Sequence, residues 1–391
     1  MGKRTIILAS GLVAVAAVAG IIMGKFAKGK ESEEKGFIGK SEIRVEDGKM
    51  TPEVLLAFGR LSDPQVSPDG KKLLYGVSYN SIEENRSCRN LYISNLDGSD
   101  AHLATRSGKS ISNARWSADG KKVVYLMGGQ IYIAKLRKDG TLGKGKKVSD
   151  IAAGIGEFKL SPDQSQVIFL STVAGRVKTP GQIYPDLPKA EAYETETMMY
   201  RHWDHWVEEI PHSFVGTFDW DKGLGNFFDI LGSEGSQDGG VSPYELPTEP
   251  FGGLEELCWS PDGTRIAYSC RKKDGKDYAF STDTEIYLYN IQSGECVHVP
   301  MGGGYDTAPV WSPDGSKICW ISMERNGYEA DKQRLMLADV DGMKVGNIRE
   351  LALDSNTMSL PHLGTRTRST SGSTPSRKGF RQSISLTLKE M

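Results

Sequence analysis

Five copies of one short phrase run through this chain: Ser67-Pro68-Asp69-Gly70, Ser117-Ala118-Asp119-Gly120, Ser161-Pro162-Asp163-Gln164, Ser260-Pro261-Asp262-Gly263 and Ser312-Pro313-Asp314-Gly315. Each reads as a tight turn: Pro presets φ at the first corner, Asp can bond its own backbone, and Gly accepts the positive φ that closes the hairpin. Gln164 replaces the Gly once. The residues after each turn stay in phase. The third position is Leu73, Val123, Val167, Ile266 or Ile318, the fourth Leu74, Val124, Ile168, Ala267 or Cys319, and the fifth Tyr75, Tyr125, Phe169, Tyr268 or Trp320. A run that is apolar on both faces and rich in β-branched and aromatic residues reads as an inner strand buried between two layers.

A second strand generally follows and leads to another turn: Leu91-Tyr92-Ile93 to Asp97-Gly98, Ile131-Tyr132-Ile133 to Asp139-Gly140, Ile286-Tyr287-Leu288 to Ser293-Gly294, and Leu335-Met336-Leu337 to Asp341-Gly342. Repeats of roughly 45 to 50 residues, built from short antiparallel strands without crossover helices, match the blades of a β-propeller. The competing fold is a β-sandwich, whose strands seldom share a phased motif at this spacing. The expected fold class is therefore all-β: an incomplete β-propeller of about five to six blades, with an apolar helix before it.

Net charge is −2 over 391 residues, and no basic patch is large enough to neutralise a nucleic-acid backbone. At the N-terminus, Lys3 and Arg4 precede an apolar run from Ile6 to Met23, followed by Lys25, Lys28 and Lys30. Residues 1–30 thus read as a signal peptide or a membrane anchor, which places the protein in the periplasm or cell envelope, membrane-associated if uncleaved. Residues 31–50 read as a charged linker, and Thr51-Pro52-Glu53 as the start of a short helix capped by Thr51. The five cysteines have no zinc-type spacing, and Cys319 falls on an inner strand. No cofactor or metal is implied.

The repeat spacing doubles between Ser161 and Ser260, which marks an insertion around residues 174–250 within a propeller spanning 51–351. It carries Thr195 to His212, dense in aromatic, acidic and histidine residues. Three readings compete for this segment. As a short helix, it would pack Met198, Met199, Trp203, Trp206 and Val207 on the rim and pair Arg201 with Asp204. As a binding element, Glu208 and Glu209 would hold a peptide α-amino group by charge-assisted hydrogen bonds, with Trp203 or Trp206 as a wall. As a metal site it would use His202, His205 and His212, although no ligand-spacing motif is matched.

Thr51-Pro52-Glu53 with Leu61 to Gly70, Tyr200-Arg201-His202-Trp203-Asp204, and Pro250-Phe251-Gly252-Gly253 ahead of Cys258 to Gly263 together resemble the propeller half of prolyl-oligopeptidase-family serine peptidases, of the dipeptidyl and acylaminoacyl peptidase type. The resemblance covers roughly residues 50 to 350. It implies a propeller that gates an α/β-hydrolase domain and helps bind peptide N-termini, with Glu208, Glu209, Arg201, Trp203 and Asp204 as candidate substrate-binding residues. No Gly-x-Ser-x-Gly nucleophile elbow occurs in these residues, so no catalytic residue is assigned and the chain alone is expected not to hydrolyse peptides. Residues 352–391, rich in Ser, Thr and Arg, lack the next turn phrase; they read as a disordered or frame-shifted tail. The alternative is a non-catalytic TolB-like propeller acting as an envelope scaffold, which would have no need of the Arg201 to Asp204 segment.

Overall fold

The computed structural model describes residues 35–45, 47–196, 201–202 and 205–351. The N-terminal apolar run, the tail from residue 352, and Met198, Met199, Trp203 and Asp204 lie outside the described residues. The chain divides at Asp150/Ile151 into two compact units.

In the first unit, Thr51 caps helix α1 (Pro52–Ala57) as expected, its hydroxyl accepting from the Val54 amide at 3.3 Å. Two four-stranded antiparallel sheets follow. The first runs β1 (Arg60–Val66), β2 (Lys72–Ser81), β3 (Arg86–Asn95) and β4 (His102–Leu103); the second runs β5 (Ile111–Trp116), β6 (Lys122–Met127), β7 (Gln130–Lys135) and β8 (Lys146–Lys147).

The second unit holds three more sheets. The first contains β9 (Phe158–Leu160) and β10 (Gln166–Ala174); then comes a separate hairpin, β11 (Arg201–His202) and β12 (His205–Trp206), before β13 (Glu209–Asp219) and β14 (Gly223–Asp229) complete that sheet. Next are β15 (Leu257–Trp259), β16 (Arg265–Cys270), β17 (Glu285–Asn290) and β18 (Cys296–His298). The last are β19 (Tyr305–Trp311), β20 (Lys317–Met323), β21 (Arg334–Asp341) and β22 (Lys344–Glu350). The described chain is all-β with few short helices.

Every phrase turns the first strand of a sheet into the second, so the strand after the turn has hydrogen-bonded neighbours on both sides and the strand before it forms the sheet edge. Its apolar triad is buried accordingly: Val167, Ile168, Phe169, Ile266, Ala267, Tyr268, Ile318, Cys319 and Trp320 are all 0% exposed. The fifth-position aromatic meets a ring on the third strand in four sheets, Tyr75–Tyr92, Tyr125–Tyr132, Phe169–Phe214 and Tyr268–Tyr287, with centroids 5.3 to 5.9 Å apart. Such cross-strand pairs fix register as well as adding stability.

The turn itself is a five-fold repeated hydrogen-bond circuit. The Ser hydroxyl donates to the Asp two residues on, at 2.5 to 2.6 Å, and accepts the amide five residues on at 2.9 Å in all five copies. The same Asp oxygen caps the amide two residues further along. These donors hold Asp69, Asp119, Asp163 and Asp314 below the usual carboxylate range, Asp314 at about 2. At Asp262 burial opposes the shift, and Ser260 and Thr264 outweigh it.

The closing residue has φ between 69° and 72° at Gly70, Gly120, Gly263 and Gly315, and 61° at Gln164. A left-handed conformation costs a side-chain-bearing residue about 1–2 kcal/mol. Gln164→Gly is therefore expected to stabilise the second unit by about 1 kcal/mol, seen as a higher urea midpoint at unchanged slope.

A second repeated device lies four residues before the turn's Ser. Asp63, Asn113 and Ala308 all have φ of 51° to 55°, and at each the edge strand carries one extra residue relative to its neighbour. These are β-bulges that bend the edge strand. In the first unit the bulge aims Asp63 at Arg115 of the next sheet, 2.6 Å away.

Candidate substrate-binding site

The interval between Ser161 and Ser260 divides into a protrusion, two strands and a loop. β10 ends at Ala174, which pairs with Glu209 at the start of β13, so residues 175–208 leave and re-enter the sheet at adjacent points. Gly175 closes that neck: its amide donates to the Glu208 carbonyl at 2.8 Å, and a Cβ there would lie 2.8 Å from the Val207 carbonyl oxygen. At the base of the protrusion, Arg176 pairs with Asp274, which follows β16 in the next sheet.

The helix expected over this segment is instead the β11–β12 hairpin, with Arg201 opposite Trp206 and His202 opposite His205. Strand pairing prevails because the segment leaves and re-enters the sheet at adjacent points, Ala174 opposite Glu209, which favours an antiparallel hairpin between them. Arg201 is placed by its backbone alone, and Trp203 and Asp204 lie between the two strands outside the described residues.

Glu208 and Glu209 are both present at the neck, each with its own partner. Hydrogen bonding with Glu208, then burial and the Glu208 charge, push the Tyr193 phenol up, and Tyr193 stacks on Trp206 at 4.7 Å with the rings 15° from parallel. Glu209 is exposed and accepts the Thr172 hydroxyl at 2.6 Å. The structure thus gives Glu208 an aromatic wall, Trp206 with Tyr193, and ties Glu209 to β10. Tyr193 escaped the sequence reading because it lies outside the dense Thr195 to His212 cluster.

His212 is 0% exposed, and both ring nitrogens face oxygen acceptors: Asp229 Oδ2 at 2.6 Å from Nδ1 and the Ser242 carbonyl at 3.2 Å from Nε2. It cannot join His202 and His205 around a metal. Its work is to hold the loop after β14 against β13, helped by Ser213, whose hydroxyl donates to the Leu246 carbonyl at 2.9 Å.

That loop carries buried carboxylates. Glu245 is 0% exposed and accepts the Tyr278 hydroxyl and, at 3.0 Å, the Glu249 amide; Glu256 is 1% exposed and accepts the Thr248 amide at 2.8 Å. Burial pushes the Tyr278 phenol far up, with Glu245 adding to it. The Pro250-Phe251-Gly252-Gly253 motif has a packing reason: Gly252 donates to the Thr248 carbonyl at 2.7 Å, and a Cβ there would sit 2.3 Å from that oxygen.

No protein-family model matches the chain. Over 294 residues it is 40% identical to dipeptidyl-peptidase 5 of Porphyromonas gingivalis, a match covering 74% of this chain and 41% of that protein. The chain is a homologue of dipeptidyl-peptidase 5. The resemblance to the propeller part of prolyl-oligopeptidase-family peptidases is borne out at this level. Dipeptidyl-peptidase 5 of Porphyromonas endodontalis is 33% identical over 341 residues, 86% of this chain and 46% of that protein. The chain spans less than half the length of these relatives. Among solved structures, Pyrococcus horikoshii acylaminoacyl peptidase matches at a TM-score of 0.48 and 17% identity, covering 75% of this chain and 40% of that one. A TolB from Agrobacterium tumefaciens matches at 0.38 and 18% identity, covering 75% and 80%.

Proposed function

We propose that this chain is the peptide-gating propeller portion of an exported serine exopeptidase that releases dipeptides or acylated residues from peptide N-termini. The observation that carries this reading is the 40% identity to dipeptidyl-peptidase 5 over 294 residues. On this reading the four-stranded sheets across residues 51–351 are propeller blades, and the apolar run at 6–23 exports or anchors the protein. The 391 residues contain no nucleophile elbow, so this chain by itself binds peptides and does not cleave them.

Glu208, backed by Tyr193 and Trp206, receives the substrate's α-ammonium group, with Glu209 beside it in sequence. A carboxylate accepting an ammonium next to an aromatic face combines a charge-assisted bond with a cation–π contact. The test is calorimetric titration of the full chain with tetraalanine and with N-acetyl-tetraalanine. Glu208→Gln is expected to weaken the free-amine peptide about tenfold, roughly the value of one charge-assisted bond, and to leave the acetylated peptide unaffected. Equal weakening of both would remove Glu208 from this role.

A further inference from the structure

Three consecutive cations, Arg271, Lys272 and Lys273, follow β16, and they are not treated alike. Lys272 reaches Glu234 at 2.7 Å and lies 3.9 Å over the Tyr287 ring. Lys273 reaches Asp283 at 3.0 Å, and the next charged residue, Asp274, pairs with Arg176. Arg271 has no carboxylate among the described residues. Its guanidinium carbon lies over the Tyr278 ring, 4.4 Å from the centroid, the residue is half-buried, and its Nε is buried without a hydrogen-bond partner among the described residues.

The buried carboxylate behind Tyr278, Glu245, is engaged by the Tyr278 hydroxyl and the Glu249 amide. Tyr278 is therefore held through its hydroxyl, and the Arg271 guanidinium rests over its ring with no carboxylate partner among the described residues. Arginine's planar fork matches a carboxylate with two parallel bonds, and a fork already resting on a ring loses less freedom on binding one. The Arg176–Asp274 pair ties this segment to the base of the protrusion that carries Glu208.

We propose that Arg271 is a carboxylate-recognising residue, taking either the terminal or a side-chain carboxylate of a bound peptide. The assignment rests on the reading of this chain as a peptide binder, and it adds an anion contact to the cation contact assigned to Glu208. Calorimetric titration of the full chain with tetraalanine, its C-terminal amide, Ala-Glu-Ala-Ala amide and succinate tests it.

The acid form of tetraalanine, or the Glu-containing amide, is expected to bind about tenfold more tightly than tetraalanine amide, a factor of one charge-assisted bidentate contact. Which of the two does so identifies the terminal or the side-chain source. Arg271→Gln should erase the preference. Arg271→Lys, which keeps a charge over the ring and guards against a folding artefact, should retain only part of it because it lacks the fork. Peptides that bind with no preference for a carboxylate, or a preference that survives in both variants, would overturn the assignment. Succinate binding that is lost in Arg271→Gln, with no peptide binding at all, would uphold Arg271 and reject the peptide-binding reading. Absence of binding by every probe would overturn both.

Discussion

Replacing Trp259 by alanine is expected to cost the second unit about 3–5 kcal/mol, the range for emptying a buried aromatic site. Trp259 is the last residue of β15, 6% exposed and packed with Leu257, Tyr268 and Ile168 in the cluster that joins two sheets of that unit. Its indole Nε1 also donates to the Lys159 carbonyl on the preceding sheet's edge strand at 3.2 Å. Trp116 in the first unit does the same, donating to the Gln65 carbonyl at 3.3 Å. Both tryptophans precede the turn's Ser by one position, and both acceptors precede the previous turn's Ser by two.

Trp311 holds the same place in the last described sheet, but its Nε1 has no hydrogen-bond partner among the described residues and the Arg265 guanidinium covers the ring at 4.6 Å instead. This contrast separates packing from hydrogen bonding. Trp259→Phe should lose about 1 kcal/mol more than Trp311→Phe, because only the former leaves a carbonyl without its donor. Urea unfolding of the three variants, followed by a probe confined to the second unit, reads both differences. A loss below about 1 kcal/mol for Trp259→Ala would mean that the sheets are not held together at this seam.

The repeated turns and the strands after them were legible because their causes are local. Ser, Pro, Asp and Gly set the turn through bonds within six residues, and the apolar triad reports two-sided burial directly. The bulge at Asp63, Asn113 and Ala308 was less legible: it needs only a residue that tolerates positive φ, and Ala308 shows that the surrounding packing can impose it without Asn, Asp or Gly.

At the candidate site the dense segment was visible but its conformation was not. Six residues around Trp203 suit a helix or a hairpin about equally, and pairing across the neck at Ala174 and Glu209 decides between them. Arg271 gave no signal at all in the sequence, since one of three adjacent basic residues stands out only when the partners of the other two are known.

Asp306→Asn is expected to stabilise the second unit by about 1–3 kcal/mol at pH 8 and to leave it unchanged near pH 3. Asp306 is 4% exposed near the start of β19, opposite Ser322, which in turn faces Arg334 across β20 and β21. Its Oδ1 has no hydrogen-bond partner among the described residues. Burial lifts its carboxyl to about 6, opposed by the nearby Ser322 and Trp320 donors and by Arg334, while Asp283 adds repulsion.

Because the folded protein holds this proton more tightly than the unfolded chain, stability from Asp306 is complete below the unfolded value near 3.9 and is lost as pH rises to about 6. The turn aspartates act in the opposite sense. Their depressed values contribute stability above about pH 4 that disappears as pH falls through the folded values, about 2 for Asp314. The two sets meet, so melting temperature against pH should peak at about 4 and decline toward 6, and Asp306→Asn should flatten only the limb above the peak. A variant that keeps the wild-type decline between pH 4 and 7 would show that Asp306 is already neutralised by Arg334, and that the slope belongs to another group.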